Sequence, residues 1–243
     1  MVWKGRDQLP RYDLILIDAD DTLLDFEQSQ RFALFSMLGE IDVHADEDIL
    51  DVYDKINAGY WRKLERGEIS KQALIVRRFD DLLTHLGVLG DSKVMNERFI
   101  HYFAQTNFLI PHALETLAAL SPHCTIAIAT NGIAFSQRKR IGSSPIAPHI
   151  SYLITSEEAE AAKPDTRFYD YAFSVCGNFD KSRTLMVGDS LTADMLGGMN
   201  YGIDTCWYNP NGLTAPPEFE ITYTISALDE LVNILLQDDR KVK

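Results

Sequence analysis

The spacing of hydrophobic residues divides the chain into two parts. From Phe26 to about Phe108, apolar residues recur at helical intervals, and glycines near 39, 67 and 87 separate about four predicted helices. After Pro111, short apolar runs alternate with helical stretches. Alternating strands and helices are typical of a parallel sheet covered by helices on both faces. The sequence therefore predicts an α/β core that is split by a helical insertion after its first strand.

The elements of this core can be placed from the same pattern. Residues 1–11 are polar and are expected to form a short lead-in. Strands are predicted at Tyr12–Asp18, Thr125–Thr130, Tyr152–Thr155, Leu185–Val187, Thr205–Tyr208 and Thr222–Ile225. Helices are predicted at His112–Leu120, Phe135–Ile141, Phe168–Cys176, Ala193–Met199 and Ala227–Gln237. The core then comprises residues 1–25 and 109–243, and the insertion comprises residues 26–108, joined through short hinges near Leu24–Phe26 and Asn107–Pro111.

Composition narrows the classes of partner. The 243 residues contain 23 Lys and Arg against 36 Asp and Glu, a net charge of −13. An acidic chain without a basic run argues against binding to a nucleic acid polymer or an anionic membrane. The three cysteines are scattered and are expected to be reduced thiols. Since no apolar run has the length of a membrane span, we expect a cytoplasmic protein.

Two carboxylates follow the first predicted strand. Asp18 and Asp20 are one residue apart, so their side chains would point the same way while the strand lasts. They would repel each other unless a cation lay between them, and Mg²⁺ prefers such oxygen ligands. The alternative is an ordinary polar turn, since Asp is common in turns. These two residues alone do not decide between the alternatives.

Three later strands are also followed by polar residues: Thr130-Asn131-Gly132, Lys163-Pro164, and Gly188-Asp189 with Asp194. The first group can donate hydrogen bonds to an anion, or it can be a simple Asn-Gly turn. The lysine can serve a site, or it can be a solvated surface residue. The last aspartate can support a second carboxylate, or it can be a helix-end charge. Ligands of parallel sheets bind at the carboxyl ends of the strands, so the order of these groups favours a single site.

Together these motifs resemble those of a known family. The stretches Asp18-x-Asp20-x-Thr22, Thr130-Asn131, Lys163-Pro164 and Gly188-Asp189-x-x-x-x-Asp194 resemble, in order and across nearly the whole chain, the four motifs of the haloacid dehalogenase superfamily of hydrolases. The helical insertion resembles the C1 cap of that family. The resemblance implies an α/β fold with a Rossmann-like parallel sheet core and an α-helical cap domain inserted after the first strand.

The resemblance also implies a role for each motif. Asp18 would be the nucleophile that forms an aspartyl-phosphate, and Asp20 would be the general acid and then the general base. The cofactor would be Mg²⁺, held by Asp18, the main-chain carbonyl of Asp20, and Asp189. Supporting positions would be Thr22, Gly188 and Asp194. The phosphoryl oxygens would be bound by Thr130, Asn131 and Lys163.

Two positions bear on the reaction type. Haloacid dehalogenases lack an acid at the position of Asp20, whereas phosphatases of the superfamily carry one, because an alkoxide needs a proton on leaving and a halide does not. Asp20 therefore argues for hydrolysis of a phosphoester. Asp21 departs from the family pattern, since it replaces the glycine that is common there.

Further stretches resemble bacterial pyrimidine 5′-nucleotidases. These are Asp20–Phe26, Ile56-Asn57-x-Gly59-x-Trp61-Arg62, Gly188–Asp194 and Asp204–Trp207. The substrate is then expected to be a small phosphomonoester, a nucleoside 5′-monophosphate with a pyrimidine base. Trp61 could stack on that base, although an aromatic residue on a helix is more often core packing.

Two alternatives to this function remain open. One is a phosphatase for sugar phosphates or phosphoglycolate. The other is a non-enzymatic phospho-receiver module, which also gathers Asp, Thr and Lys around Mg²⁺. A receiver carries its phosphoacceptor on a middle strand and has no helical insertion, so the sequence favours an enzyme. No oligomeric state is predicted.

Overall fold

Six parallel strands form the sheet that carries the predicted site residues. This computed structural model describes residues 11–177 and 179–236. Residues 1–10 of the predicted lead-in at 1–11, and the predicted helix end at Gln237, lie outside the described residues. The strands are β1 (Leu14–Ile17), β2 (Thr125–Thr130), β3 (Tyr152–Thr155), β4 (Thr184–Gly188), β5 (Asp204–Tyr208) and β6 (Tyr223–Ile225). Their order is β3-β2-β1-β4-β5-β6, and each neighbouring pair is parallel. The chain changes direction across the sheet between β1 and β4, where ligands bind in folds of this kind.

The α-helices of the described residues lie close to the predicted positions. They are α1 (Phe26–Gly39), α2 (Glu47–Glu65), α3 (Lys71–Leu86), α4 (Ser92–Phe103), α5 (Ala113–Leu120), α6 (Ala134–Gly142), α7 (Thr166–Cys176), α8 (Leu196–Tyr201) and α9 (Glu230–Leu236). Short 3-10 turns occur at Ala147–His149 and Lys181–Arg183, and a π-helical turn at Leu191–Met195 precedes α8. The helical segment predicted to begin at Ala193 begins two residues earlier, because the Ser190 side chain caps it by accepting from the Ala193 N–H.

Strand β1 is buried on both faces. Ile15 and Ile17 pack in one apolar cluster with residues of α5 and α9, whereas Leu14 and Leu16 pack in a second cluster with residues of α7. Alternate side chains of a strand point to opposite faces, so each helical layer covers one face of the sheet. The predicted α/β fold, with a helical domain inserted after the first strand, is confirmed.

The chain leaves and re-enters the sheet unit at neighbouring points. Leu24 and Leu109 form an antiparallel bridge, and the Ile110 N–H donates to the Leu23 carbonyl at 3.0 Å. The insertion therefore begins and ends within the two segments that the sequence predicts as hinges.

The second compact unit contains α1 to α4, Phe26–Phe108, together with Phe135–Arg140 of α6. The sequence predicts residues 135–140 as part of the core, whereas they pack in this second unit. The reason lies in Arg140, which is fully buried. Its guanidinium donates to Ser29 Oγ at 3.0 Å and lies 4.2 Å from the centroid of the Phe103 ring. Both contacts are to residues of the helical unit.

The core of the helical unit is aromatic. Tyr53, Phe79 and Phe99 are buried, and their ring centroids lie 5.5–5.6 Å apart. Buried Arg78 donates to Asn57 Oδ1 at 3.0 Å, so this core also contains polar side chains. None of the helices in the described part of the chain combines the length and apolar character that a bilayer crossing requires.

Candidate active site

The strand ends bring the predicted residues to one edge of the sheet. Asp18 follows β1, Thr130 ends β2, and Asp189 follows β4. Lys163 follows β3 after a turn and precedes α7. In a parallel sheet the carboxyl ends of the strands share one edge, so these residues converge although up to 171 positions separate them.

The Lys163 ammonium lies at the centre of the cluster. The residue is only 2% exposed, and its Nζ donates to Asp18 Oδ1 at 2.6 Å, to Asp194 Oδ1 at 2.5 Å and to the Ala129 carbonyl at 2.6 Å. An ammonium has three donors, and these three acceptors use all of them. The alternative that Lys163 is a solvated surface lysine is therefore wrong.

Neighbouring carboxylates stabilise the positive charge of Lys163. Burial disfavours the charged form of the lysine, but the Asp18 and Asp194 carboxylates outweigh burial and raise the pKa of Lys163 above its ordinary value. The lysine is therefore a fixed cation at neutral pH. Buried ion pairs of this kind persist only where further hydrogen bonds satisfy the charges, as the Ala129 carbonyl does here.

Three carboxylates converge around this cation. Oxygen atoms of Asp18, Asp189 and Asp194 all lie within 4.8 Å of one another. Burial, more than the neighbouring charges, raises the pKa of Asp18 well above its usual range. Burial, together with the charges of Asp194 and Asp21, also raises the pKa of Asp189 to about 7. One ammonium among three ionised carboxylates leaves two negative charges uncompensated, so the donor set fits a hard divalent cation such as Mg²⁺.

Asn131 holds the main chain of Lys163. Its Nδ2 donates to the Lys163 carbonyl, and its Oδ1 accepts from the Lys163 N–H, each at 2.9 Å. The Lys163-Pro164 peptide bond is cis. Thr130 is buried, and its Oγ1 accepts from the Gly132 N–H at 3.0 Å. Contact of Thr130 and Asn131 with a phosphoryl group stays a prediction, whereas the reciprocal bonds show how Asn131 fixes the position of the lysine.

Gly188 provides space for Asp194. A Cβ atom at position 188 would lie 2.1 Å from Asp194 Oδ2 and 2.7 Å from Asp194 Cβ. Real Cβ atoms do not approach other atoms so closely, so a side chain at this position would displace the aspartate. The predicted supporting position of Gly188 thus has a steric basis.

Asp189 is held at two points. Its Oδ1 accepts from Thr22 Oγ1 at 3.3 Å, and its main-chain carbonyl accepts from the Trp207 indole N–H at 2.8 Å. The contact with Thr22 agrees with the predicted supporting position of that residue. The contact with Trp207 was not predicted, since it depends on which residue of β5 lies beside the end of β4.

Asp20 and Asp21 lie in the turn after β1. The main chain of Asp20, a half-buried residue, forms a bridge with Leu24. The main chain of Asp21 has a left-handed conformation, with φ of 58°, and its N–H donates to the Leu24 carbonyl at 2.8 Å. Glycine takes this conformation freely, and Asp is among the few other residues that tolerate it. The departure from the family pattern at Asp21 is thus compatible with the turn.

Trp61 belongs to the other unit. It lies in α2 and is half-buried. Its contact with a substrate base stays a prediction, as do the acid–base role of Asp20 and the metal contact of the Asp20 carbonyl.

The sequence matches a known protein family and is similar to two named relatives. The haloacid dehalogenase-like hydrolase family matches residues 12–202. The chain is 36% identical to the pyrimidine 5′-nucleotidase PynA of Streptococcus pneumoniae, over 92% of this chain and 95% of that protein. It is 33% identical to the pyrimidine 5′-nucleotidase YjjG of Escherichia coli, over 93% of this chain and 98% of that protein.

A solved structure shares the whole architecture. The structure of YfnB from Bacillus subtilis, bound to magnesium, superposes with a TM-score of 0.89 at 33% identity, and it covers 93% of this chain and 100% of that one. The family match, these relatives and the four motifs gathered around Lys163 agree with one another, and the chain belongs to the haloacid dehalogenase-like family of hydrolases.

Proposed function

We propose that this hydrolase is a Mg²⁺-dependent phosphatase that acts on a nucleoside 5′-monophosphate, with a pyrimidine base preferred. The observation that carries the proposal is the cluster in which Lys163 bridges Asp18 and Asp194 beside Asp189. Asp20, two residues after Asp18, adds the acid that an alkoxide leaving group needs. The preference for a pyrimidine nucleotide is supported by the two relatives named as pyrimidine 5′-nucleotidases.

The proposed reaction has two steps. A carboxylate oxygen of Asp18 attacks phosphorus, the P–O ester bond breaks, and Asp20 gives a proton to the leaving oxygen. Asp20 then takes a proton from a water molecule, which attacks the same phosphorus. The acyl-phosphate bond breaks, so that inorganic phosphate leaves and Asp18 is restored. Lys163 supports the nucleophile in both steps, because it fixes Asp18 Oδ1 at 2.6 Å.

The cluster would hold Mg²⁺ through the carboxylates of Asp18 and Asp189 and the main-chain carbonyl of Asp20, with Asp194 in support. When bound, the ion supplies positive charge that offsets the charge on the phosphoryl group. This assignment is supported by the convergence of the three carboxyl groups within 4.8 Å, and by the magnesium-bound structure of YfnB.

The phosphoryl oxygens are assigned to Thr130, Asn131 and Lys163, whose ammonium would exchange one of its three present acceptors for a phosphoryl oxygen. These residues lie near one another, since Asn131 is bonded to the main chain of Lys163 and Thr130 precedes Asn131. Donors placed where charge develops lower the energy of a transition state more than that of the substrate.

The helical unit is proposed to act as a cap that excludes water and contacts the leaving group. Within it, Trp61 is the proposed contact for the base, since a half-buried indole keeps part of its ring available for stacking. The protein is further proposed to reside in the cytoplasm, which is supported by its three free cysteines.

A phosphate-release screen tests the proposal. Pyrimidine and purine nucleoside 5′-monophosphates, sugar phosphates and phosphoglycolate would each be incubated with enzyme and Mg²⁺, with Asp18→Asn and excess chelator as controls. We expect the highest kcat/KM with a pyrimidine nucleotide, and no release in either control.

Other outcomes separate the alternatives. The highest kcat/KM with a sugar phosphate or phosphoglycolate would overturn the nucleotidase assignment and leave the phosphatase standing. A protein that turns over no ester and remains stably phosphorylated would instead indicate the receiver module.

A further inference from the structure

Trp207 is a buried aromatic residue, and its one polar side-chain atom is hydrogen-bonded to the main chain of Asp189, a residue of the candidate metal site. The residue lies on β5, is 3% exposed, and is paired in register with Gly188 at the end of β4. Its indole Nε1–H donates to the main-chain carbonyl of Asp189 at 2.8 Å. An indole nitrogen can only donate, so this carbonyl satisfies the polar atom of the buried side chain.

The carbonyl of Asp189 lies just beyond the paired part of the sheet. The parallel ladder between β4 and β5 ends with the pair Gly188 and Trp207. Asp189 is the next residue, so the indole provides the hydrogen bond where the ladder has stopped. Loss of this bond would remove a hydrogen-bond partner from the Asp189 carbonyl, which costs free energy.

The same peptide group is bound on its other side. The carbonyl of Asp189 and the N–H of Ser190 belong to one planar peptide group, and in a trans peptide they point in opposite directions. The Ser190 N–H donates to Asp194 Oδ2 at 3.1 Å. One peptide plane therefore connects Trp207, on one side, with the Asp194 carboxylate on the other.

This peptide plane is connected to two of the three converging carboxylates. Asp189 carries its own carboxylate on the Cα at one end of the plane, and Asp194 is bound by the N–H at the other. Oxygen atoms of the two carboxylates lie within 4.8 Å of each other, so the groups repel when both are ionised. A rotation of the peptide would let them move apart, and the bond from Trp207 opposes that rotation.

We propose that Trp207 is a positioning residue of the metal site: its indole N–H orients the Asp189–Ser190 peptide so that the carboxylates of Asp189 and Asp194 converge with Asp18. This inference rests on the proposed function in one respect, the binding of Mg²⁺ by this cluster. It adds a residue from β5 that acts through the main-chain carbonyl of Asp189.

The test is the affinity for Mg²⁺ measured by calorimetry without substrate. Two variants remove the N–H: Trp207→Phe, and replacement of Trp207 by benzothienylalanine, in which sulfur takes the place of the indole N–H while the ring volume is kept. Phe168→Leu is the control, because Phe168 is fully buried in the same unit and packs in an apolar cluster. Loss of a residue that orients metal ligands typically weakens binding ~10–100-fold.

We expect both Trp207 variants to weaken Mg²⁺ binding within that range, and the Phe168 variant to lower Tm with Mg²⁺ affinity unchanged. A second readout is the indole ¹⁵N–¹H resonance of Trp207, identified by its loss in Trp207→Phe. It should shift during Mg²⁺ titration of the wild type, with the midpoint given by calorimetry.

Wild-type Mg²⁺ affinity in the benzothienylalanine variant would overturn the inference, as would a wild-type protein that binds no Mg²⁺. Failure of the proposed function is distinguishable: the wild type would then bind Mg²⁺ and release no phosphate from any ester, while the Trp207 variants would still bind the ion more weakly.

Discussion

Replacement of Gly188 by alanine tests whether the close approach of Asp194 is part of the site. The new Cβ would lie 2.1 Å from Asp194 Oδ2, 2.4 Å from Cγ and 2.7 Å from Cβ. Rotation of the carboxylate alone would relieve only the first two contacts, because Cβ is fixed to the main chain. The π-helical turn that carries Asp194, Leu191–Met195, must therefore shift.

The size of the effect follows from the contacts that such a shift breaks. Overpacking of a close-packed interior costs about 1–3 kcal/mol. Displacement of Asp194 also weakens its 2.5 Å contact with Lys163, and hydrogen bonds to charged groups contribute about 1.5–3 kcal/mol. We expect Gly188→Ala to lower the free energy of unfolding by about 2.5–6 kcal/mol, the sum of these two costs. Misplacement of catalytic groups by ~1 Å can cost ~10²-fold in rate, so kcat/KM should fall at least that far.

Gly142→Ala is the matched control. Gly142 is the last residue of α6, belongs to the same unit, and has nothing within 4 Å of the position of its Cβ. Removing the flexibility of a glycine in a compatible conformation stabilises a protein by about 0.4–1 kcal/mol. Urea unfolding and the hydrolysis of p-nitrophenyl phosphate would be measured for both variants. Equal unfolding midpoints and equal kcat/KM for the two variants would refute the steric account of Gly188.

Three further predictions concern acid catalysis by Asp20, the contact of Trp61 with the nucleotide base, and the binding of Mg²⁺ by Asp189. Asp20→Asn should reduce kcat by ~10²–10⁴-fold, the usual contribution of general acid–base catalysis. The loss should be smaller for p-nitrophenyl phosphate, because its leaving group needs little protonation, and equal losses on all esters would contradict the acid role of Asp20. Trp61→Ala should lower kcat/KM for a nucleotide by the equivalent of ~1–3 kcal/mol, whereas kcat/KM for p-nitrophenyl phosphate should change much less. Equal losses on both substrates, with a large fall in Tm, would make Trp61 a core residue. The pKa of Asp189 is raised from its ordinary value of 3.8 to about 7, so this group should make the metal-free protein less stable as pH rises between those two values, and the loss should level off above 7. Mg²⁺ should offset that loss and raise Tm more at pH 8 than at pH 6; the opposite order in a thermal-shift assay would contradict the assignment of Asp189 to the metal.

The strands of the core could be predicted from the sequence because their apolar runs are short and clearly bounded. Thr125–Thr130 and Tyr152–Thr155 have the predicted bounds, β4 is one residue longer than predicted at each end, and β5 is one residue longer at its start. Since the carboxyl ends of parallel strands share an edge, correct strand ends were enough to predict that Asp18, Lys163 and Asp189 converge.

Other features depend on contacts that the sequence does not encode locally. Base rates for lysine favour the surface, and only the pairing with two carboxylates and a carbonyl explains why Lys163 is buried. The bond from Trp207 requires the register between β4 and β5. The place of Arg140 in the helical unit requires contacts with residues that precede it by 37 or more positions.

The most direct test of the account is a search for phosphate on Asp18 itself. Asp20→Asn enzyme would be mixed with Mg²⁺ and p-nitrophenyl phosphate, whose leaving group needs little protonation in the first step. The mixture would be quenched in acid within a single turnover, digested, and analysed by mass spectrometry. Because this variant lacks the base that activates water for the second step, the aspartyl-phosphate should accumulate. The account predicts a phosphate group on Asp18, and none in the Asp18→Asn protein treated in the same way. Phosphate on another residue, or near wild-type release of inorganic phosphate by a folded Asp18→Asn protein, would contradict it.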